Sequence, residues 1–187
     1  GDQRGGGDRA VLLAADGVAS TVARLLGLRE AWKPHQLVGC IARNVKLTKR
    51  QIDTHLGGGG EIHVTLAFRE TPGYAWLFPA EGHASVGVGV RGATGRKRLR
   101  KLYADWVGVL TEADLLPEGA DTEGPCVGTV PAGAAIEFEN HVGKRTVLVG
   151  DAGGFAAAAS GEGIWPGIRS GMIACERIKA ALEVDAA

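Results

Sequence analysis

Thr146-Val-Leu-Val-Gly-Asp-Ala-Gly-Gly-Phe155, running on through Ser160-Gly-Glu-Gly-Ile164, reads as a strand, an acidic turn, a glycine loop and the start of a helix. Val147 to Val149 is a short apolar run rich in β-branched side chains, the pattern of a buried strand. It stops at Gly150-Asp151, and the glycine-dense loop that follows has a backbone able to approach a ligand closely. Apolar periodicity resumes at Ile164, so a helix is expected over about 165–183, with Pro166 in its first turn. A helix N-terminus offers N–H donors and partial positive charge, and the Asp151 carboxylate can accept hydrogen bonds from sugar-like hydroxyls. By its chemistry this segment is a nucleotide or cofactor site. The competing reading is a strand-loop-helix with no ligand.

The same residues resemble a family. Val149-Gly-Asp-Ala-Gly-Gly-Phe155, followed by Gly161-Glu-Gly-Ile164 and Ser170-Gly171, is similar to the Gly-Asp segment of FAD-dependent oxidoreductases of the p-hydroxybenzoate hydroxylase type. A second segment stands upstream in the family's order. Ala15-Asp-Gly-Val-Ala-Ser20, with Arg24 and Leu26-Gly-Leu28, resembles the Asp-Gly segment of those flavoproteins. The resemblance implies that Asp151 binds the flavin ribityl chain and that the following helix points its N-terminus at the ring. It places Asp16 near the pyrophosphate and ribityl region. It implies as cofactor-binding residues Asp16, Gly17, Arg24, Gly150, Asp151, Gly154, Gly161, Gly163 and Ile164. Without the resemblance, Asp16 and Ser20 read equally well as helix caps.

Composition narrows the class. The chain has 187 residues, 21 Lys and Arg against 21 Asp and Glu, and no net charge, which gives no electrostatic case for nucleic acid. Its 30 glycines are about twice the usual share. Cys40, Cys126 and Cys175 are widely spaced, so neither a disulfide framework nor a metal site is expected and a cytoplasmic location fits. The histidines have no metal-ligand spacing. No apolar run is long enough to span a bilayer and no signal peptide is visible. The first residue is not Met, which suits a processed, tagged or partial product. The basic run Arg96–Lys101 precedes apolar positions at helical spacing and reads as the solvated face of a helix.

Residues 1–9 read as a loose polar terminus, Ala10 to Ala15 as a short buried strand, and Ser20 to Gly27 as a helix closed by glycine. Residues 37–90 change character. Leu37–Leu47, Glu61–Phe68, Tyr74–Phe78 and Ser85–Val90 are β-rich, with a flexible hairpin at Gly57–Gly60 and turns at Pro72-Gly73 and Glu81-Gly82. One helix is expected over 97–116, then a loop, then extended pieces at Cys126–Pro131 and Ala134–Glu139. The expected fold is mixed α/β: the distal part of a Rossmann-like FAD-binding domain with an inserted antiparallel-sheet domain. The domains would be residues 1–36, 37–140 and 141–187, the first and last belonging together.

Tyr74-Ala-Trp-Leu-Phe-Pro79 carries the second inference. On a strand, residues two apart share a face, so Tyr74, Trp76 and Phe78 project together. In Ser85-Val-Gly-Val-Gly-Val90 the valines share one face, and Ser85, Gly87 and Gly89 the other. The rings either pack on glycine or border a flat apolar slot. A plain core is the alternative. Tyr74-x-Trp-x-Phe-Pro79 followed by Gly87-x-Gly89 resembles the YxWxFP…GxG segment of the geranylgeranyl reductase branch, which lines a lipid-substrate cavity beside the flavin. The branch carries a proline three residues before the tyrosine; here that position is Thr71 and the proline is Pro72. The resemblance implies substrate lining by Tyr74, Trp76, Phe78, Pro79, Gly87 and Gly89.

Family members begin with a GxGxxG strand-helix unit that holds the ADP half of FAD. No such unit is expected here, since Gly5-Gly-Gly7 leads into a strand. The implied function is an FAD-dependent oxidoreductase that uses NAD(P)H or another donor to reduce a carbon–carbon double bond of an apolar, isoprenoid-like substrate. The missing unit would lie in the parent chain, and the family's lipid substrate implies peripheral membrane contact. No catalytic residue is assignable. Glu162 at the helix start reads as a cap. A flavin monooxygenase and a truncated, non-catalytic module are the competing readings.

Overall fold

The computed structural model describes residues 10–137 and 140–184. Two compact units emerge: residues 37–130 form one, and residues 1–36 with 131–187 form the other. The expected boundary at 140 thus lies inside the second of these, since the chain leaves the first unit at Val130.

The 37–130 unit is an antiparallel sheet backed by one long helix. Its strands are β2 (Leu37–Lys46), β3 (His63–Leu66), β4 (Gly73–Ala80), β5 (His83–Arg91) and β6 (Cys126–Pro131), in the order β3-β4-β5-β2-β6. Tight turning at Glu81-Gly82 joins β4 to β5, with Ala80 opposite His83 and Gly73 opposite Val90. This register sends Ala75, Leu77, Val86, Val88 and Val90 to one face, all buried. Against that face lies α3 (Arg96–Glu112), whose Leu99, Leu102, Tyr103, Trp106 and Leu110 are buried. Each such large side chain contributes about 1.5–3 kcal/mol when fully buried. The basic residues of α3's first turns stand exposed, as expected of a solvated face. α3 stops four residues short of the expected end because Asp114 turns left-handed at φ 55°.

Two expectations here are corrected. Lys49–His55 forms a helix, α2, that the β-rich reading passed over. Its capping box was written in the sequence: the Thr48 hydroxyl accepts from the Gln51 N–H, and Gln51 reaches back to the Thr48 N–H. Gly57–Gly60 is therefore no hairpin. It is a short turn after α2, and it delivers the chain to β3, which pairs with β4 rather than with β2.

The other unit carries a three-stranded sheet in the order β1-β8-β7, from β1 (Leu12–Ala14), β7 (Val142–Gly143) and β8 (Thr146–Leu148). β1 runs parallel to β8, which brings the two acidic motifs to the same end of adjacent strands: Ala14 stands opposite Leu148. A short helix α1 (Thr21–Leu25) follows the first motif, and α4 (Ile164–Val184) follows the second. The strand expected to be buried at Ala10–Ala15 is shorter, and only Ala14 is buried in it; Leu12 and Leu13 are exposed. Ala134–Glu137 winds into a 3-10 turn instead of an extended piece, and residues 138–139 lie outside the described residues, as does the 1–9 terminus. Gly133, at φ 68°, begins that turn. A Cβ there would stand 2.6 Å from the Ala158 backbone, so glycine is required for the close approach.

Candidate functional site

The Gly-Asp turn is built by local bonding and then pinned from three sides. Gly150–Gly153 makes one 3-10 turn, closed when the Phe155 and Gly154 N–H groups donate to the Gly150 and Asp151 carbonyls. Gly150 sits at φ 55°, and its Cα comes within 4 Å of where a Cβ on Gly167 would be, so α4 lies close against it. Ser170 of α4 accepts from the Gly150 N–H at 2.9 Å and donates to the Gly167 carbonyl at 2.8 Å. His141 Nε2 donates to the Gly153 carbonyl at 3.0 Å, with its ring 4.8 Å from Phe155. Burial drives the His141 pKa down, against the opposing pull of that carbonyl. Arg29 donates to the Ala152 carbonyl at 2.5 Å.

Asp151 stands apart in this well-bonded turn. Its carboxylate is half-buried, with no hydrogen-bond or ion-pair partner among the described residues, and burial alone pushes its pKa up. Its Oδ1 lies 3.5 Å from where a Cβ on Gly163 would be, at the entry to α4. A half-buried carboxylate without a donor costs free energy in the absence of a ligand. The loop between them carries Gly154 and Gly161 in left-handed conformation, at φ 78° and 72°. Ile164, the first residue of α4, is exposed. Glu162 has the capping role expected of it and accepts from the Trp165 N–H at 2.7 Å. Because Pro166 has no N–H, the first turn of α4 offers fewer donors than a generic helix start.

Asp16 is exposed and caps α1. Its Oδ2 accepts from the Thr21 and Val22 N–H groups at 2.8 and 3.1 Å, while the Ser20 hydroxyl accepts from the Ala23 N–H at 3.0 Å. Burial works to raise the Asp16 pKa, but the bonds from Ser20, Val22 and Thr21 outweigh it and hold the carboxyl below its ordinary range. Gly17 forms the preceding turn at φ 79°, and Arg24 stands exposed on α1. Arg29, Trp32 and His141 were missed by sequence reading. None belongs to a motif, and only the folded contacts disclose them.

In the 37–130 unit the aromatic strand lies as its alternation predicts, opposite the face covered by α3. Trp76 and Phe78 stack with ring centroids 6.1 Å apart, and Tyr74 is tilted against Trp76 at 5.6 Å. Gly87 decides the packing. A Cβ there would stand 2.3 Å from the Trp76 ring, so the indole lies flat across β5 where side chains are missing. Trp76 Nε1 donates to the Ser85 hydroxyl at 3.2 Å. A Cβ on Gly89 would come 3.2 Å from Val38 and 3.5 Å from Cys40 Sγ, and these β2 residues continue the paved surface. Burial pushes the Cys40 thiol up to about 11, which leaves it unreactive at neutral pH. Pro79 ends the strip, opposite Ala84. Tyr74, Trp76 and Phe78 are half-buried, and on the neighbouring edge strand Val64 and Leu66 are exposed. The result is an apolar, aromatic surface with few polar groups to satisfy, suited to a long hydrocarbon.

No protein-family model matches the chain. It is 30% identical over 179 residues to the digeranylgeranylglycerophospholipid reductase of Methanocaldococcus jannaschii, an alignment covering 94% of this chain and 42% of the relative. It is 30% identical over 175 residues to the menaquinone reductase of Mycolicibacterium smegmatis, covering 89% and 40% respectively. Among solved structures, a geranylgeranyl bacteriochlorophyll reductase-like protein from Thermoplasma acidophilum superposes with a TM-score of 0.76 at 23% identity, over 94% of this chain and 42% of that one. Over nearly all of its length the chain is similar to part of these geranylgeranyl-type reductases in sequence, and it shares the fold of the Thermoplasma acidophilum protein. It spans less than half the length of these relatives.

Proposed function

We propose that the protein to which this chain belongs is an FAD-dependent reductase of carbon–carbon double bonds in an isoprenoid-like lipid. The observation that carries the reading is the half-buried Asp151 carboxylate, without a partner among the described residues, on a turn whose four carbonyls and Gly150 N–H are all hydrogen-bonded. It fits a ligand hydroxyl, such as the flavin's ribityl chain carries, because each hydroxyl brings a donor to an acceptor that lacks one. Bound flavin supplies the hydride chemistry, and NAD(P)H is the proposed source of its electrons. The chain's own residues do the rest. Asp151 and Asp16 hold polar groups of the cofactor. Ser170, His141 and Arg29 keep the turn from relaxing. Tyr74, Trp76 and Phe78 with Gly87 and Gly89 orient an apolar chain and exclude water from it. The names of the two relatives, a digeranylgeranylglycerophospholipid reductase and a menaquinone reductase, support the substrate class.

The adenine-binding unit is proposed to come from elsewhere in the parent chain. Support comes from the relatives' greater length and from an apolar groove of about 500 Å³ lined by Val147, Leu148, Phe155, Ile173, Ala174 and Ile178. Peripheral contact with a membrane is proposed from the lipid substrate. Among the described residues no helix is long and apolar enough to cross one. Recovery of the protein wholly in the supernatant after sedimentation with liposomes would exclude that contact.

Incubation with FAD, desalting and a visible absorption spectrum test the central reading. A retained flavin band, bleached by NADPH and restored by a polyprenyl substrate without oxygen, is the expected result on the full parent chain. Substrate-stimulated oxygen consumption would point to hydroxylation instead. No retained flavin in the parent chain would refute the reading.

A further inference from the structure

The two acidic motifs are separated by more than a hundred residues, yet a single side-chain pair ties their loops together. Arg29 is nearly buried, at 9% exposure, and its backbone N–H is fixed to the carbonyl of Ala23 in α1. From there its guanidinium reaches the Gly-Asp turn and donates to Ala152 at 2.5 Å. The Trp32 indole lies under that guanidinium, 3.9 Å from ring centroid to Cζ, and its Nε1 donates to the Val18 carbonyl at 2.6 Å in the Asp16 loop. Burial lowers the Arg29 pKa, and the Asp16 charge works against that fall.

We propose that Arg29 and Trp32 form a clamp that fixes the spacing of the Asp16 loop and the Gly150–Gly153 turn. They are positioning residues that hold both loops to one geometry through the Ala152 and Val18 carbonyls. The clamp's use in cofactor binding rests on the flavin reading above; its coupling of the two loops does not. Geometry favours the pair over either residue alone. Arg29 has a planar fork that bonds Ala152 while its flat face stacks, which lysine cannot reproduce. Trp32 contributes both the stacking surface and the one donor aimed at Val18. Cation–aromatic stacking of a desolvated guanidinium adds to both bonds.

The test uses Arg29→Met, Arg29→Lys and Trp32→Phe in the apo protein and in the FAD-loaded parent chain. In the apo protein, amide hydrogen exchange should rise by about tenfold at Gly17-Val18 and at Gly150–Gly153 together in Arg29→Met. Trp32→Phe keeps the ring and deletes one donor, so it should loosen the Asp16 loop more than the turn. In the loaded protein, Arg29→Met should weaken FAD about tenfold and alter the flavin's circular dichroism, with Arg29→Lys recovering part of each. Faster exchange at one loop only, in both Arg29→Met and Trp32→Phe, would overturn the clamp. So would lower thermal stability with unchanged FAD affinity and flavin dichroism. If Arg29→Met does not fold, Trp32→Phe decides the matter. If the wild-type protein binds no flavin, the functional reading falls while the exchange experiment still judges the coupling.

Discussion

The two units of this chain bury their apolar residues to different degrees. In the 37–130 unit, sheet and helix close on one another, and Ile41, Leu77, Val86, Val88, Leu99 and Leu110 are all but inaccessible. In the other unit a small cluster of Ala14, Ala23 and Leu148 has Val22 and Leu28 beside it, and the remaining buried apolar residues, such as Val149, Ala152 and Ala174, are mostly small. There α4 leaves Ile164, Trp165, Ile168, Met172 and Ile173 exposed, and β1 leaves Leu12 and Leu13 exposed. The first unit is held by its own burial. The second buries fewer large side chains, pins one turn by hydrogen bonds, and leaves apolar side chains exposed. A binding site gains from this arrangement, because a turn pinned by Ser170, His141 and Arg29 is specific in shape while the interior stays available to a ligand or a further segment.

The largest expected effect tests that contrast directly. Leu77→Ala should destabilise the 37–130 unit by about 3 kcal/mol, the usual cost of a fully buried leucine. Leu148→Ala in the smaller core should cost about half as much, since its surroundings can collapse or admit water. Chemical denaturation followed separately by tryptophan fluorescence and far-ultraviolet circular dichroism would measure both; equal losses would break the comparison. Next comes Gly87→Ala. The added methyl would collide with the Trp76 ring, so a loss of about 1–3 kcal/mol is expected, together with a shift in tryptophan emission as the indole is displaced. Unchanged emission would mean that the ring does not rest on Gly87.

Asp151 gives the smallest effect on stability. Its folded pKa is raised above the ordinary 3.8, so the folded state holds the proton more tightly than the unfolded one. Stability from this group therefore falls as pH rises from about that value through the folded pKa. Asp151→Asn should abolish that fall and raise the melting temperature of the apo protein at pH 7 by about 1 °C. The same change should weaken FAD binding about tenfold, the loss of a hydrogen bond to a charged acceptor. A substitution that stabilises the empty protein while weakening the ligand marks a site; lower stability at pH 7 would identify Asp151 as a structural residue. His141 has the opposite sign. Its pKa lies below the ordinary 6.5, so its contribution is lost as pH falls through the folded value.

Much of this was readable in advance. The alternation in Tyr74–Phe78 and Ser85–Val90 gave both strands and the face each residue occupies, because period two is imposed by the pleat itself. Gly150-Asp151 after an apolar run gave a strand-turn-helix. The α2 helix was also legible, in Thr48-x-x-Gln51, but the glycines that follow drew attention to a turn. Ala134–Glu137 was not legible, since its winding depends on Gly133 lying against Ala158. Asp16 shows a different limit. As cap and as ligand group the residue has the same sequence signature, and in the folded chain it binds the start of α1.

The sequence by itself determined the local geometry: periodicity set the elements, and glycines at fixed offsets set the turns and the flat face under Trp76. It also carried the family resemblance, through two motifs and an aromatic strip standing in order. Only the tertiary structure decided which groups are satisfied. Ser170, His141, Arg29 and Trp32 meet the two loops across 12 to 123 positions of chain, and Asp151 is left without a partner among the described residues. Hydrogen bonding and burial depend on distances in space, which no short window of sequence contains.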